Sequence, residues 1–217
     1  MQMVHWTYEA KTAGRGIVLA DGCCDVIVET RPGAAPEILT TGLDAAAPRS
    51  IRNTAGLTFS GIRLPPGVAP PPADLLAEAA TSAARAELLG QTIAAQEEPA
   101  AIAACLAGPG GSLSLAAAMA GVSPRSLQRH LRAQGGPPPD FWRLLGRARR
   151  AAHLVGAGRA LADAAFEAGY SDQAHMSRAL HRWIGAPPAA LRADPVLLAN
   201  AAQPGPGNWM AEQISAR

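Results

Sequence analysis

The chain has 217 residues, 48% hydrophobic and 4% aromatic, so its core must be built mainly from alanine, leucine and valine, in one large domain or two small ones. A net charge of +2 does not by itself indicate a nucleic-acid partner. Three cysteines are too few for a disulfide framework, no apolar run is long enough to span a membrane, and residues 1–20 show no secretory signal pattern, so a cytoplasmic protein is expected.

The N-terminal third predicts a β-rich arm. Alternating apolar and polar residues indicate short strands, and Asp21-Gly22 indicates a turn between two of them. Residues 31–49 are rich in proline, glycine and alanine and predict a loop that contains at most one strand. The predicted strands are Val4–Glu9, Gly16–Ala20, Cys24–Glu29, Ile38–Thr41 and Gly56–Leu64.

Five prolines between residues 65 and 72 mark the end of the predicted sheet. Residues 74–89 and 99–106 then predict two helices, the first with a modest apolar stripe that includes Leu76 and Leu88. The stripe is equally consistent with packing inside one chain and with contact between two chains. The sequence GPGG at residues 108–111 predicts a linker.

Residues 161–192 predict a helix, a glycine turn and a second helix. The apolar face of the first helix ends at Gly169, and Ser171 is placed to cap the second helix. In the second helix Met176, Leu180 and Trp183 recur at the spacing of one buried face. This arrangement is typical of a helix-turn-helix, whose second helix enters the major groove of DNA.

A second copy of the same pattern lies upstream. Gly169 corresponds to Gly121 at an offset of 48 residues, and Arg178 corresponds to Arg129 at an offset of 49. Residues 141–155 predict a helix between the copies, about 20–25 Å long. A connecting helix of this length favours a double helix-turn-helix that reaches two successive major grooves, which lie about 34 Å apart.

The distribution of charge supports a DNA partner. Residues 111–192 contain 11 arginines and 4 acidic residues, a net charge of +7, whereas the remainder holds 8 basic and 13 acidic residues, a net charge of −5. A basic module beside an acidic body is typical of a DNA-binding domain with a separate regulatory part. The alternative is that the arginine-rich helices are simply solvated faces.

Three segments carry a resemblance to a known family: SLAAAMAGVSPRSLQRHLR, RARRAAHLV and ADAAFEAGYSDQAHMSRALHRWIGAPPAALR. Across residues 113–192 the chain resembles the DNA-binding domain of the AraC/XylS transcription regulators. His181 and Ala190 stand where that family more often has basic and aromatic residues. The pieces VLADGCCDVIVE and GIRLPPGVA resemble the small β arm of one subgroup, which implies a reduced cupin-like sheet.

The resemblance implies an α+β fold in four parts. Residues 1–72 are expected to form a β-rich regulatory or dimerisation arm, 73–108 a helical linker, 109–193 an all-α double helix-turn-helix domain, and 194–217 a tail without regular structure. The implied function is a bacterial-type, sequence-specific transcription regulator, an activator or a repressor. Its expected partner is double-stranded DNA, with RNA polymerase added for an activator, while a small-molecule effector and a homodimer stay open.

The residues expected to contact DNA lie on the outer faces of the two recognition helices. Arginine bridges O6 and N7 of guanine, and glutamine bridges N6 and N7 of adenine. The predicted base-contacting set is Arg125, Ser126, Gln128, Arg129, Gln173, Ala174, Ser177 and Arg178. For Arg147, Arg149 and Arg150 on the connecting helix, contact with phosphates and a solvated face are equally consistent with the sequence, and Arg182 is a further phosphate candidate.

Other classes of function find little support. Serine, histidine and aspartate form no catalytic set, so no enzyme is expected, and no metal ion or other cofactor is expected either. Cys23 and Cys24 lack a second ligand pair at zinc spacing, which argues against a DNA-repair arm with an alkyl-acceptor cysteine. His175 is expected to pack or to contact phosphate. The remaining rival is a small-ligand or thiol sensor that acts through protein contacts of the arm, with weak DNA binding.

Overall fold

A computed structural model describes residues 3–43 and 48–206. Within these ranges the chain forms six strands followed by ten helices, which confirms the α+β class. The predictions made for residues 44–47 and 207–217 lie outside the described residues. None of the helices in the described ranges is both long and apolar enough to cross a membrane.

The arm contains two antiparallel sheets. One has four strands in the order β1-β6-β3-β4, and the other pairs β2 with β5. In the larger sheet, Trp6 lies opposite Gly61, and the indole ring occupies the space that a side chain at Gly61 would fill. The strands are β1 (Val4–Glu9), β2 (Gly14–Val18), β3 (Asp25–Thr30), β4 (Glu37–Thr40), β5 (Arg49–Asn53) and β6 (Thr58–Arg63).

Most of the strand predictions are confirmed, and two differ. β5 was not predicted because the sequence RSIRN does not alternate between apolar and polar residues, and it forms because its backbone pairs with β2. The predicted strand at 16–20 begins two residues earlier and ends at Val18. Leu19 and Ala20 leave the sheet and are buried among residues of the helical domain.

Three linker helices follow the arm: α1 (Ala73–Glu78), α2 (Ser82–Ala95) and α3 (Glu97–Ala107). The single helix predicted at 74–89 is therefore wrong, because the backbone becomes extended at Ala79 and Thr81. The Thr81 hydroxyl starts the second helix by accepting a hydrogen bond from the Ala84 backbone N–H at 3.1 Å.

Seven further helices complete the part of the chain that the structure describes. Residues 195–202 were expected to lack regular structure, yet they form the last helix: Asp194 caps it by accepting from the Leu197 N–H at 2.9 Å, and Leu197 and Ala201 are buried. The helices are α4 (Leu113–Met119), α5 (Pro124–Ala133), α6 (Pro139–Gly156), α7 (Leu161–Glu167), α8 (Gln173–Ile184), α9 (Pro188–Ala193) and α10 (Pro195–Ala202).

The molecule has two hydrophobic cores. The smaller core joins the arm to the linker and includes Val26, Leu64 and Leu89. The larger core holds the C-terminal helices together around α6. Helix α3 contributes to both, since Ala100 lies in the smaller core and Leu106 in the larger one.

Arg63 connects the arm to the C-terminal end of the described chain. Its guanidinium lies 2.7 Å from Asp21 Oδ2 and donates to the two Asp25 carboxylate oxygens at 3.0 and 3.1 Å. It also donates to Pro204 O at 3.1 Å and to Gln203 Oε1 at 3.3 Å. Burial raises the pKa of Asp21, and the Arg63 charge opposes that shift.

Helix α6 also takes part in the contact between the arm and residues 203–206. Arg149 is 1% exposed and donates to Gln203 O. Gly22 has a φ of +64° and packs so tightly that an added Cβ would lie 2.9 Å from the Trp142 ring. We call Asp21, Asp25, Arg63, Arg149 and residues 203–206 the arm–domain joint. It fixes the arm on the same helix that separates the two helix-turn-helix units.

Candidate nucleic-acid interface

The first helix-turn-helix unit is formed by α4 and α5. Gly121 ends the first helix with a φ of +66°, and the Val122 N–H donates to Ala117 O at 3.0 Å. Ser123 then caps α5 by accepting from the Ser126 N–H at 3.1 Å, and Pro124 occupies the first helical position. These features confirm the predicted turn and the predicted cap.

The second unit, α7 and α8, has the same construction with one difference. Gly169 has a φ of +82°, and the Tyr170 N–H donates to Ala165 O at 2.8 Å. The predicted cap, Ser171, is wrong: Asp172 caps α8 by accepting from the His175 N–H at 2.7 Å. The extra residue in this turn shifts the cap by one position. That backbone hydrogen bond lowers the pKa of Asp172, with a smaller contribution from Ser171.

Helix α6 holds the two units apart. Its 18 residues span about 27 Å, and its apolar face is buried as predicted. Phe141 packs edge-on against Trp183 of α8, with ring centroids 5.7 Å apart. Leu127 on α5 and Met176 on α8 are buried in the same core. Both recognition helices thus have their apolar sides in the one core that surrounds α6.

The outer face of α5 presents most of the predicted set. Arg125, Gln128 and Arg129 are exposed. Ser126 is half-buried, and its hydroxyl oxygen lies 2.9 Å from that of Ser123, so it belongs to the cap of the helix. Arg132 was not predicted although it is exposed as well, and its spacing of seven residues from Arg125 places it on the same face.

The outer face of α8 is less polar. Gln173, Ala174 and Arg178 are exposed. Ser177 is half-buried, and its hydroxyl donates to Gln173 O within the helix at 2.8 Å. His175 lies edge-on to Tyr170, with centroids 5.1 Å apart, and its Nδ1 lies 3.2 Å from Ser171 Oγ. His175 therefore packs against the turn, which is one of the two roles expected for it.

The arginines of α6 have partners within the protein. Arg149 is buried, so neither a phosphate contact nor a solvated face describes it. Arg147 lies with its Cζ 4.4 Å from the centroid of the Tyr170 ring and donates to Gly169 O at 3.3 Å. Arg150 donates to Ala107 O at the end of α3, and burial lowers its pKa. These contacts were not predicted because the partners are distant along the chain.

Arg182 differs from the α6 arginines because it is exposed near the end of α8. Its Cζ lies 5.2 Å from the centroid of the Trp183 ring. Within the described parts of the chain, no group of three or more histidine, cysteine, aspartate or glutamate side chains is placed to hold a metal ion.

A comparison with known protein families found a match in the C-terminal helical region. Residues 116–194 match a family described as a helix-turn-helix domain. The match covers both turns, α5, α6 and α8, together with α9. Neither the curated proteins nor the solved structures give a significant match to the chain.

Proposed function

We propose that the protein is a sequence-specific transcription regulator of the AraC type that binds two adjacent major-groove segments of DNA, which the match of residues 116–194 to a helix-turn-helix family supports. The proposal rests on one observation above all. The chain forms a helix, a glycine turn and a side-chain-capped second helix twice, and each copy has its apolar side buried in the larger core and its polar side exposed.

The dimensions of α6 support binding by both helices. Its length of about 27 Å is comparable to one turn of B-DNA, about 34 Å, which separates successive major grooves on one face of the duplex. A net charge of +7 over residues 111–192 supplies the attraction to phosphates that all such complexes need.

Within the interface we assign base contacts to the exposed side chains of α5 and α8 and phosphate contact to Arg182. Arg147 and Arg150 take a second place as phosphate contacts, because Gly169 O and Ala107 O already accept hydrogen bonds from their guanidinium groups. In this arrangement their main role is to hold α6 against the second turn and against α3.

The thiol-sensor alternative receives no support from the arm. Cys23 and Cys24 are 2% and 1% exposed. Burial raises the pKa of Cys23 well above its ordinary value and that of Cys24 to about 12. Since the thiolate is the reactive form, both groups are poorly suited to sensing oxidants or electrophiles. We assign the arm a regulatory or dimerising role, in which an effector or a second copy acts on the domain through the arm–domain joint.

The test is a selection of DNA fragments with the full chain at about 150 mM salt, a concentration at which weak electrostatic binding is reduced. We expect one enriched motif with two half-sites about 10 base pairs apart. Motif-free binding that disappears as salt rises would overturn the proposal, because it would show only an electrostatic surface.

Three variants refine the test on the selected fragment. Arg129→Ala and Arg178→Ala are each expected to weaken specific binding by about 1–3 kcal/mol, since each removes a base-contacting arginine. Arg182→Ala is expected to weaken binding to all sequences alike and to reduce the salt slope by about one. Arg85→Ala removes the same charge from α2 and serves as the control, with unchanged affinity expected.

A further inference from the structure

Resting on the proposed function, we propose that the two half-sites are read unequally: the half-site under α5 is rich in guanine and strictly specified, whereas the half-site under α8 is tolerant. The juxtaposition that carries this proposal is the pair of outer faces, aligned residue by residue by the offset of 49. The faces differ in side-chain chemistry, in the hydrogen bonds already made, and in the charge of the cap.

The outer face of α5 carries donors along its whole length. Arg125, Arg129 and Arg132 follow one another at spacings of four and three residues, so they lie on one side of the helix, with Gln128 beside them. Among the residues that the structure describes, Arg125 and Arg129 form no ion pair or hydrogen bond with another side chain. Their guanidinium groups are free to bridge O6 and N7 of guanine.

The corresponding positions on α8 hold weaker groups. Arg125 is matched by Ala174, Gln128 by Ser177 and Arg132 by His181. An alanine methyl group offers only an apolar contact, such as one with the methyl group of thymine.

A hydrogen bond within α8 further reduces the number of base contacts that this helix can form. The Ser177 hydroxyl proton is given to Gln173 O, which leaves the oxygen only as an acceptor. Arg178 and Gln173 are therefore the side chains of this face best able to discriminate between bases.

The caps add an electrostatic difference between the two helices. α5 begins at a neutral Ser123, whereas α8 begins at Asp172, whose carboxylate is exposed and attracts the Arg178 guanidinium. A carboxylate at the N-terminus of α8 repels DNA phosphates and offsets part of the charge of Arg178. No acidic residue occurs within α5 or as its cap. The stronger attraction to DNA therefore belongs to the first helix.

The experiment compares selections from randomised duplexes using the full chain and three variants. For the unaltered protein we expect one half-site with strongly preferred guanines and a second half-site with weaker preferences. Arg125→Ala should erase a guanine preference in the first half-site and weaken binding about 5- to 150-fold, the range of one bidentate base contact. Arg178→Ala should weaken binding less and alter only the second half-site.

Ala174→Arg supplies a gain-of-function test that does not depend on losing affinity. It places an arginine where α5 has Arg125, on an exposed position of the helix. We expect a new guanine preference in the second half-site and tighter binding to fragments that carry it. Thermal unfolding of each variant shows whether the fold is retained.

The outcomes separate this inference from the proposed function. Two half-sites with equally strong base preferences, or a larger loss from Arg178→Ala than from Arg125→Ala, would overturn the unequal reading while leaving the proposed regulator intact. An unchanged second half-site with Ala174→Arg would also overturn it. The absence of any motif would overturn both.

Discussion

The β arm and the helical repeat treat their polar groups in opposite ways. In the repeat, arginine and glutamine side chains on α5 and α8 face outward, and the interior is built from alanine and leucine. In the arm, Asp21, Asp25 and Arg63 turn inward at the arm–domain joint. The repeat is therefore ordered mainly by apolar packing, whereas the arm depends on a buried ionic contact with the rest of the chain.

The largest expected effect comes from breaking that ionic contact. Arg63→Ala leaves two buried carboxylates without their cation, and removing one partner of a buried charge pair costs about 3–5 kcal/mol. Urea denaturation should show this loss in the free energy of unfolding. Arg31→Ala is the matched control, since the Arg31 side chain is 62% exposed beside Glu29 and contributes little. A loss from Arg63→Ala no larger than that of the control would contradict the role of the joint.

The reactivity of the cysteine thiols tests whether the arm buries its polar groups. Because burial raises the pKa of Cys24 to about 12, this residue forms far less thiolate at pH 8 than a free thiol does. We therefore expect Cys23 and Cys24 to resist an aromatic disulfide reagent in the folded protein and to react at once in urea. Cys105, which is half-buried on α3, serves as the internal comparison and should react first. Rapid reaction of all three thiols without denaturant would restore the sensor hypothesis.

The features that were predicted correctly are those that residues close together in the sequence determine. Spacing and residue type predicted the strand at residues 4–9, the glycine turns at Gly121 and Gly169, the Ser123 cap and the buried face of α6. In each case the partners lie within a few residues, or the periodicity alone assigns the face. The exposed residues of α5 and α8 follow from the same periodicity.

Contacts between distant residues determined what the sequence did not predict. Strand β5 exists because β2 pairs with it, and Arg149 is buried because Gln203, 54 residues later, accepts its hydrogen bond. For Arg147, Arg149 and Arg150 the sequence left phosphate contact and a solvated face open, and neither alternative included the partners that they have inside the fold. Sequence spacing places a side chain on a helix face, but the neighbouring elements decide whether that face is buried.

A smaller effect is expected from the tight contact within the larger sheet of the arm. A Cβ at Gly61 would overlap the Trp6 ring, which also donates from Nε1 to Asp25 Oδ1 at 2.9 Å. Gly61→Ala should force the indole out of place and lower the free energy of unfolding by about 1–3 kcal/mol, as overpacking does. Gly14→Ala in β2 is the control, because nothing lies within 4 Å of its added Cβ. Equal stability of the two variants would contradict the close packing of Trp6 on Gly61.

The smallest expected effect lies in the repeat, where a single hydroxyl starts α5. Ser123→Ala removes the acceptor for the Ser126 N–H, and loss of an N-cap of this kind lowers the free energy of unfolding by about 1 kcal/mol. Ser114→Ala, at an exposed position inside α4, should be neutral or slightly stabilising, because alanine favours a helix interior. Urea denaturation of both variants measures the difference. Since apolar packing in the larger core stabilises the first hairpin more than the cap does, the Ser123→Ala protein should stay folded. Complete unfolding would show that the hairpin depends on its polar contacts as the arm does.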